Sequence, residues 1–260
     1  LAVRRNSRPP RARRARGGRE LIVEARGRFV LATLNRPRAG NRITPVMASQ
    51  LIELAERVED DDEILMLAIT GAGAVFCIGF EPGVDSRLVE SLAALAKPTL
   101  AIINGDAFDE GLELALALDL RIAAARARFA MTQPQRGRLP RFGGTQRLPR
   151  IIGAPRALRM LLTGEAIDGR AALASGLVGE LAASPARLRK LAAERIESLL
   201  KRAPLAVRMA KEAVIKGYDM TLVQGIRLEE DLYALLQTTA DRSEGVRAFL
   251  DKRRPLFKGS

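Results

Sequence analysis

Histidine is absent from this chain, cysteine occurs once, and the first nineteen residues hold no acidic side chain. Without histidine, a zinc site and a Ser-His-Asp hydrolase are excluded, and acid/base chemistry is left to carboxylates, lysine, tyrosine, backbone or bound water. No metal site is expected. The single Cys77 allows no intrachain disulfide framework and, lying in an apolar segment, reads as a small core residue. No apolar run approaches the length needed to cross a bilayer, which predicts a soluble protein with no membrane contact. No Walker or Rossmann spacing surrounds Gly143 and Gly144, so this pair reads as a close turn rather than a phosphate loop.

What the chain does have is length, apolar content and positive charge. With 260 residues and 47% hydrophobic composition it can bury a large core. Its formal net charge is +13, but eight arginines among residues 1–19 account for eight of those charges. This Arg- and Pro-rich tail has too little apolar surface to offset its ordering entropy, and disorder is expected there. Three readings of it stand: an ill-defined start of the chain, an organelle transit peptide, or an arm for nucleic acid or an acidic partner. The expected location is the cytoplasm, or an organelle matrix if the tail is a transit peptide.

From Glu20 the pattern becomes regular. ELIVEARG and RFVLATLNRP read as a hairpin turning near Gly27. Thr44 caps a helix from about Pro45 to Val58, with Pro45 at its first position and Met47, Leu51, Leu54 and Ala55 on one face. Residues 65–70 (LMLAIT) and 98–104 (PTLAIIN) read as short buried strands, each followed by a helical run. Strands alternating with helices indicate an α/β architecture, and the short connections fit a spiral of strand-strand-helix turns better than a doubly wound sheet. After about Gly164 the runs are helical. The division expected is a tail (1–19), a core (20–195) and a helical oligomerisation region (196–260).

The segment NGDAFDEGLELALALD (Asn104 to Asp119) places Asp106, Asp109, Glu110 and Glu113 before or within the first turn of an apolar helix, where free N–H groups and the helix dipole favour anions. Glu113, followed by LALALDL, falls on a largely buried helix where an unpaired carboxylate is costly. Asp119 and Arg121 read as makers of structural hydrogen bonds. Together with LNRP (Leu34 to Pro37) and Asn41, FCIGFE (Phe76 to Glu81), KPTLAIING, GGTQRLPRIIG (Gly143 to Gly153), LLTGEAIDGRAALASGLV and the terminal AFLDKRRPLFKG, this segment resembles the enoyl-CoA hydratase/isomerase family, also called the crotonase superfamily. The resemblance runs from Glu20 to the end. It implies a spiral of ββα units with a C-terminal helical trimerisation region, a homotrimer or dimer of trimers, and coenzyme A thioesters as substrates. Coenzyme A enters as part of the substrate, and no further cofactor is implied.

By motif matching, the resemblance implies an oxyanion hole from the backbone N–H groups of Phe80 and Glu110, for a thioester carbonyl taking on enolate character. In a dry site such donors each supply roughly 2.7 to 4 kcal/mol of transition-state stabilisation. Where the family has a glycine triplet, this chain has Asp109-Glu110-Gly111. Glu113 matches the first of two catalytic glutamates; an ungapped alignment puts Gln133 at the second, and a gapped one would choose Gln135. Neither amide relays a proton at neutral pH. Three alternatives follow for the chemistry: Glu113 acting alone, the missing second carboxylate supplied by Glu110, Asp109 or Asp106, or a weakened or lost activity with thioester binding retained. Arg38, Ile78, Phe80, Phe257 and Lys258 match coenzyme A contacts, and Arg136, Arg138 and Arg141 flank the pocket where they could serve an acidic acyl group. The expected function is an acyl-CoA enzyme of hydratase/isomerase type with Glu113 as acid/base. The alternatives are a degenerate homologue binding a thioester or RNA, and a thioester hydrolase or decarboxylase of the same fold.

Overall fold

The structure is a computed structural model describing residues 19–260. Residues 1–18, on which the readings of the basic tail fall, lie outside the described residues. The chain opens with an antiparallel hairpin, β1 (Leu21–Arg26) and β2 (Phe29–Leu34), and passes through helix α1 (Pro45–Asp60) to β3 (Met66–Gly71), which lies parallel to β2. The hairpin and helix follow the sequence pattern closely. Val30, Ala32 and Leu34 alternate inward along β2, and the Thr44 side chain accepts from the Met47 N–H at 3.1 Å to cap α1. Such a cap is worth about 1 kcal/mol. Met47, Leu51, Leu54 and Ala55 are buried, and the helix runs two residues beyond the expected Val58.

Three strand-strand-helix units then repeat. They are β3, β4 (Val75–Cys77) and α2 (Arg87–Ala94); β5 (Thr99–Ile103), β6 (Asp106–Phe108) and α3 (Glu110–Ala117); and β7 (Leu120–Ala124), β8 (Arg128–Ala130) and α4 (Gly144–Ile152). The first strand of each unit enters a six-stranded sheet of order β1-β2-β3-β5-β7-β10, which ends in β10 (Glu180–Ala182), and the second enters a four-stranded sheet of order β4-β6-β8-β9, which ends in β9 (Ile167–Asp168). The short strands β4 and β6 stand between the long strands and the helices that the sequence pattern put directly after them. Helix α5 (Ala154–Thr163), β9 (Ile167–Asp168), α6 (Gly169–Ala174) and β10 (Glu180–Ala182) close the core. Cys77 is fully buried in β4, and burial pushes its thiol up to about 12.

The large sheet is covered on both faces, which explains why β3 and β5 read as continuous apolar runs. Leu67, Ile69, Ala101 and Ile103 join the main core with α1, whereas Met66, Ala68, Leu100 and Ile102 pack with Leu188, Leu191, Ala192 and Ile196 of α7 (Pro185–Leu200). The line between residues 195 and 196 therefore falls inside a helix that packs on the sheet.

Beyond α7, helices α8 (Pro204–Gly217), α9 (Leu222–Gln237) and α10 (Ala240–Leu250) bury few side chains. Val214, Leu222, Val223, Tyr233, Phe249 and Leu250 are exposed on them. Among the described residues, no helix is long and apolar enough to cross a membrane.

Helix α8 is tied to the core by charge. Lys211 Nζ lies 2.7 Å from Asp119 Oδ2, which also accepts from the Thr99 N–H at 2.7 Å and the Thr99 hydroxyl at 2.9 Å, while Arg121 donates to the Leu177 and Leu118 carbonyls. Asp119→Ala would strand the Thr99 N–H and leave the Lys211 ammonium with only the Lys97 carbonyl at 3.1 Å, and is expected to cost about 3 kcal/mol in urea unfolding; an unchanged midpoint would show that the tie carries no stability.

Candidate active site

Glu113 stands in the first turn of α3, a helix whose eight residues are all buried. Its side chain has no solvent exposure, so its carboxylate needs donors from the protein. They come from the backbone of a distant segment: the N–H groups of Phe142 and Gly144 both donate to Oε1 at 2.8 Å. Gly144 permits this approach, because a Cβ there would stand 3.0 Å from Glu113 Oε1 and 2.9 Å from Met131 Cε. Burial pushes the Glu113 carboxyl up to about 7, with the Gly144 and Phe142 N–H groups pulling down and the nearby Glu110 charge pushing further up.

Gln133, in a 3-10 turn over Gln133–Arg136, is fully buried and points its amide at this carboxylate, with Nε2 3.3 Å from Glu113 Oε2. Gln135 instead donates to the Thr163 carbonyl at 2.8 Å, so the ungapped register gives the residue that faces Glu113. The Gln133 Oε1 atom is buried without a hydrogen-bond partner among the described residues. It is an open acceptor beside a carboxylate.

The Phe80 N–H meets the Glu110 side chain at the start of α3. Ile43 forms a parallel bridge with Phe80, its N–H donating to the Gly79 carbonyl and its carbonyl accepting from the Glu81 N–H. The Phe80 N–H is thereby left outside the ladder, beyond Gly79 at φ +139°, and reaches Glu110 Oε2 at 3.4 Å. Glu110 opens α3, where the first-turn N–H groups have no intrahelical acceptor. Phe142 packs edge-on against Phe80 with ring centroids 4.9 Å apart, tying this wall to the segment that holds Glu113.

The carboxylates that replace the glycines have their own cations. Asp109 takes φ +51°, a conformation costing about 1–3 kcal/mol for a residue with a side chain. Its carboxylate accepts from the Thr132 N–H at 2.6 Å, from the Thr132 hydroxyl and from Arg136. Glu110 Oε1 accepts from Arg138 Nη2 at 2.6 Å. Arg136 and Arg138 are therefore engaged by the protein's own acids rather than left free for an acidic acyl group, and Arg141 lies over the Phe142 ring. Asp106 is on β6, not at the helix start, and binds Arg128. That removes it as a substitute carboxylate, and Asp109, turned onto Thr132 and Arg136, is a poor one.

The matched coenzyme A residues are scattered. Ile78 packs on Gly40, and Arg38 is exposed on the adjoining 3-10 turn Pro37–Ala39. Phe257 packs near Gly245 of α10, while the Lys258 N–H donates to Asp241 and its side chain lines a separate cavity with Arg28 and Arg208. None of these four hydrogen-bonds to Glu113 or Gln133 among the described residues. Sequence reasoning missed Arg42, whose guanidinium reaches over Gly79, and missed the roles of Arg136 and Arg138 as counter-ions. Each pair joins residues 27 or 28 positions apart, a separation with no periodic signal. Among the described residues no cluster of three metal-ligating side chains occurs.

The raised Glu113 value has a thermodynamic consequence. An acid that holds its proton more tightly when folded contributes most stability below its unfolded value of 4.5, and that contribution is lost as pH rises to about 7. Across that range the difference in unfolding free energy between wild type and Glu113→Gln is expected to fall by about 3 kcal/mol in urea titrations; a constant difference would contradict the shift.

The enoyl-CoA hydratase/isomerase family model matches residues 24–260. An (E)-benzylidenesuccinyl-CoA hydratase from Thauera aromatica is 38% identical over 255 residues, covering 92% of this chain and 99% of that protein. A 2,3-dehydroadipyl-CoA hydratase from Escherichia coli (strain K12) is 37% identical over 253 residues, covering 92% and 99%. The crystal structure of an enoyl-CoA hydratase from Bacillus anthracis matches with a TM-score of 0.89 at 33% identity, covering 93% of this chain and 100% of that one. Family model, relatives and fold agree with the motifs read from Glu20 onward, and the chain belongs to the enoyl-CoA hydratase/isomerase family.

Proposed function

We propose that this protein adds water to the double bond of a 2-enoyl-CoA, with Glu113 as its single proton carrier. The observation that carries this reading is the buried Glu113 carboxylate, pushed up to about 7, beside the unpartnered Gln133 Oε1. A group titrating near neutrality can both take and give a proton. A water donating to Gln133 Oε1 and Glu113 Oε2 would be positioned by the first and activated by the second. Glu113 takes one proton as the oxygen adds to C3; the pair of electrons moves to the thioester oxygen as enolate, and Glu113 returns the proton to C2. The Phe80 and Glu110 N–H groups stabilise the enolate. Atoms balance with one carboxylate, at a rate below that of a two-carboxylate site by about 10²- to 10⁴-fold.

Isomerisation of a 3-enoyl-CoA is the second reading, favoured by Gln133, because moving one proton between C2 and C4 asks nothing of a second acid. The exposed apolar residues of α8 to α10 support a homotrimer or dimer of trimers, since such a surface calls for a partner. Arg38, Ile78, Phe257 and Lys258 are assigned to coenzyme A, with Phe257 and Lys258 serving a neighbouring subunit. The cytoplasm is the assigned location, and the reaction needs no group beyond the substrate's own coenzyme A.

Incubation with 2-enoyl- and 3-enoyl-CoA thioesters separates these readings. A product heavier by one water is expected; an isomer of unchanged mass would replace hydration by isomerisation, release of free coenzyme A would indicate a hydrolase, and no product would leave a thioester-binding homologue. Glu113→Gln is expected to lower kcat by about 10²-fold or more, and the wild-type kcat/KM should rise with pH to a plateau above about 7. Retained activity in Glu113→Gln would refute the assignment.

A further inference from the structure

We infer that Arg42 is a positioning residue that draws the Glu110 carboxylate off the Phe80 N–H when a thioester carbonyl arrives, so that the oxyanion hole opens only with Glu110 held between two arginines. This inference rests on the proposed acyl-CoA reaction. In the structure Glu110 Oε2 occupies the Phe80 N–H at 3.4 Å, the group that the substrate oxygen needs. The hole is filled from within. The Glu110 side chain is buried and its Oε1 is fixed by Arg138, whose own side chain is half exposed.

Displacing Oε2 from its donor would leave half a buried carboxylate unpaired, a costly state. Arg42 offers the alternative. Its Nη1 and Glu110 Oε2 stand 2.9 Å and 3.0 Å from the point where a Gly79 side chain would begin, so they face each other across that glycine without bonding. Arg42 is half buried, and its guanidinium makes no hydrogen bond or ion pair among the described residues. Any side chain at position 79 would fill the gap that the carboxylate must cross. Rotation of Glu110 about its terminal bonds moves Oε2 from the Phe80 N–H to Arg42 while Oε1 keeps Arg138. The third cation of the cluster, Arg136, is held by Asp109 and is not available for this exchange.

Two short-range consequences distinguish this from a direct contact between Arg42 and substrate. First, Arg42 acts on binding rather than on the chemical step, so Arg42→Met should raise KM with little change in kcat. Second, its effect should vanish once Glu110 is absent. The test is a double-mutant cycle on the full chain, with calorimetric binding of a saturated butyryl-CoA, which cannot react, as the readout. Arg42→Met is expected to weaken binding by about tenfold, because the open state becomes a minor population. Arg42→Lys should recover part of the loss. In a Glu110→Gly background, Arg42→Met should change binding by less than about twofold. An equal loss in both backgrounds would mean that Arg42 touches the ligand itself, and no loss in either would mean that Glu110 leaves unaided; both overturn the inference. Circular dichroism and urea midpoints of each variant separate these results from misfolding, and Arg42→Gln provides a second neutral substitution. Wild-type protein that binds no acyl-CoA would overturn the proposed function and this inference together, whereas wild-type binding with an additive cycle overturns the inference alone.

Discussion

The Glu113 carboxylate, sealed at the start of α3, depends on two backbone N–H groups that arrive from the turn before α4. A buried acid without donors would either take up a proton permanently or unfold the helix start. The N–H pair prevents both by holding the group near the boundary between its two forms. This constraint reaches through the fold: the 142–144 backbone must pass within hydrogen-bond range of α3, Gly144 must lack a side chain, and the Phe80–Phe142 contact must keep the neighbouring wall in place. The spiral supplies that geometry because successive units set the starts of α3 and α4 side by side.

Around this point the protein tolerates an unusual concentration of charge. Asp109 and Glu110 occupy positions where glycine would avoid both backbone strain and electrostatic repulsion. Each carboxylate has an arginine from the loop that follows β8, and Asp109 gains two further donors from Thr132. The strained Asp109 backbone is held by these bonds rather than by its own preference. The arrangement keeps two acids folded beside Glu113, and it gives the proposed oxyanion hole an internal occupant, so affinity for a thioester becomes a competition between a substrate oxygen and a side chain.

The C-terminal helices are coupled to the core differently. Their apolar faces are largely exposed, and the ties to the body are polar: Lys211 to Asp119, and Arg208 to Glu59. A surface joined by a few ion pairs and rich in uncovered apolar side chains suits association with further copies, as proposed for α8 to α10.

Local pattern was sufficient for the hairpin, for α1 with its Thr44 cap, and for the continuous apolar strands β3 and β5, because burial on one or both faces repeats with a short period along the chain. The same logic singled out Glu113, an acid inside an apolar helical run, and the ordered motifs identified the family. Tertiary structure decided the rest. Gln133 and Gln135 are both amides two positions apart, and only the 3-10 turn directs one at Glu113 and the other at Thr163. The acids Asp109 and Glu110 looked unopposed because their arginines lie far along the chain, and Arg42 carried no sign that it would reach across Gly79. Periodicity records which face of an element is buried; it does not record which charges meet when distant loops are brought together, since those pairings arise from the path of the whole backbone.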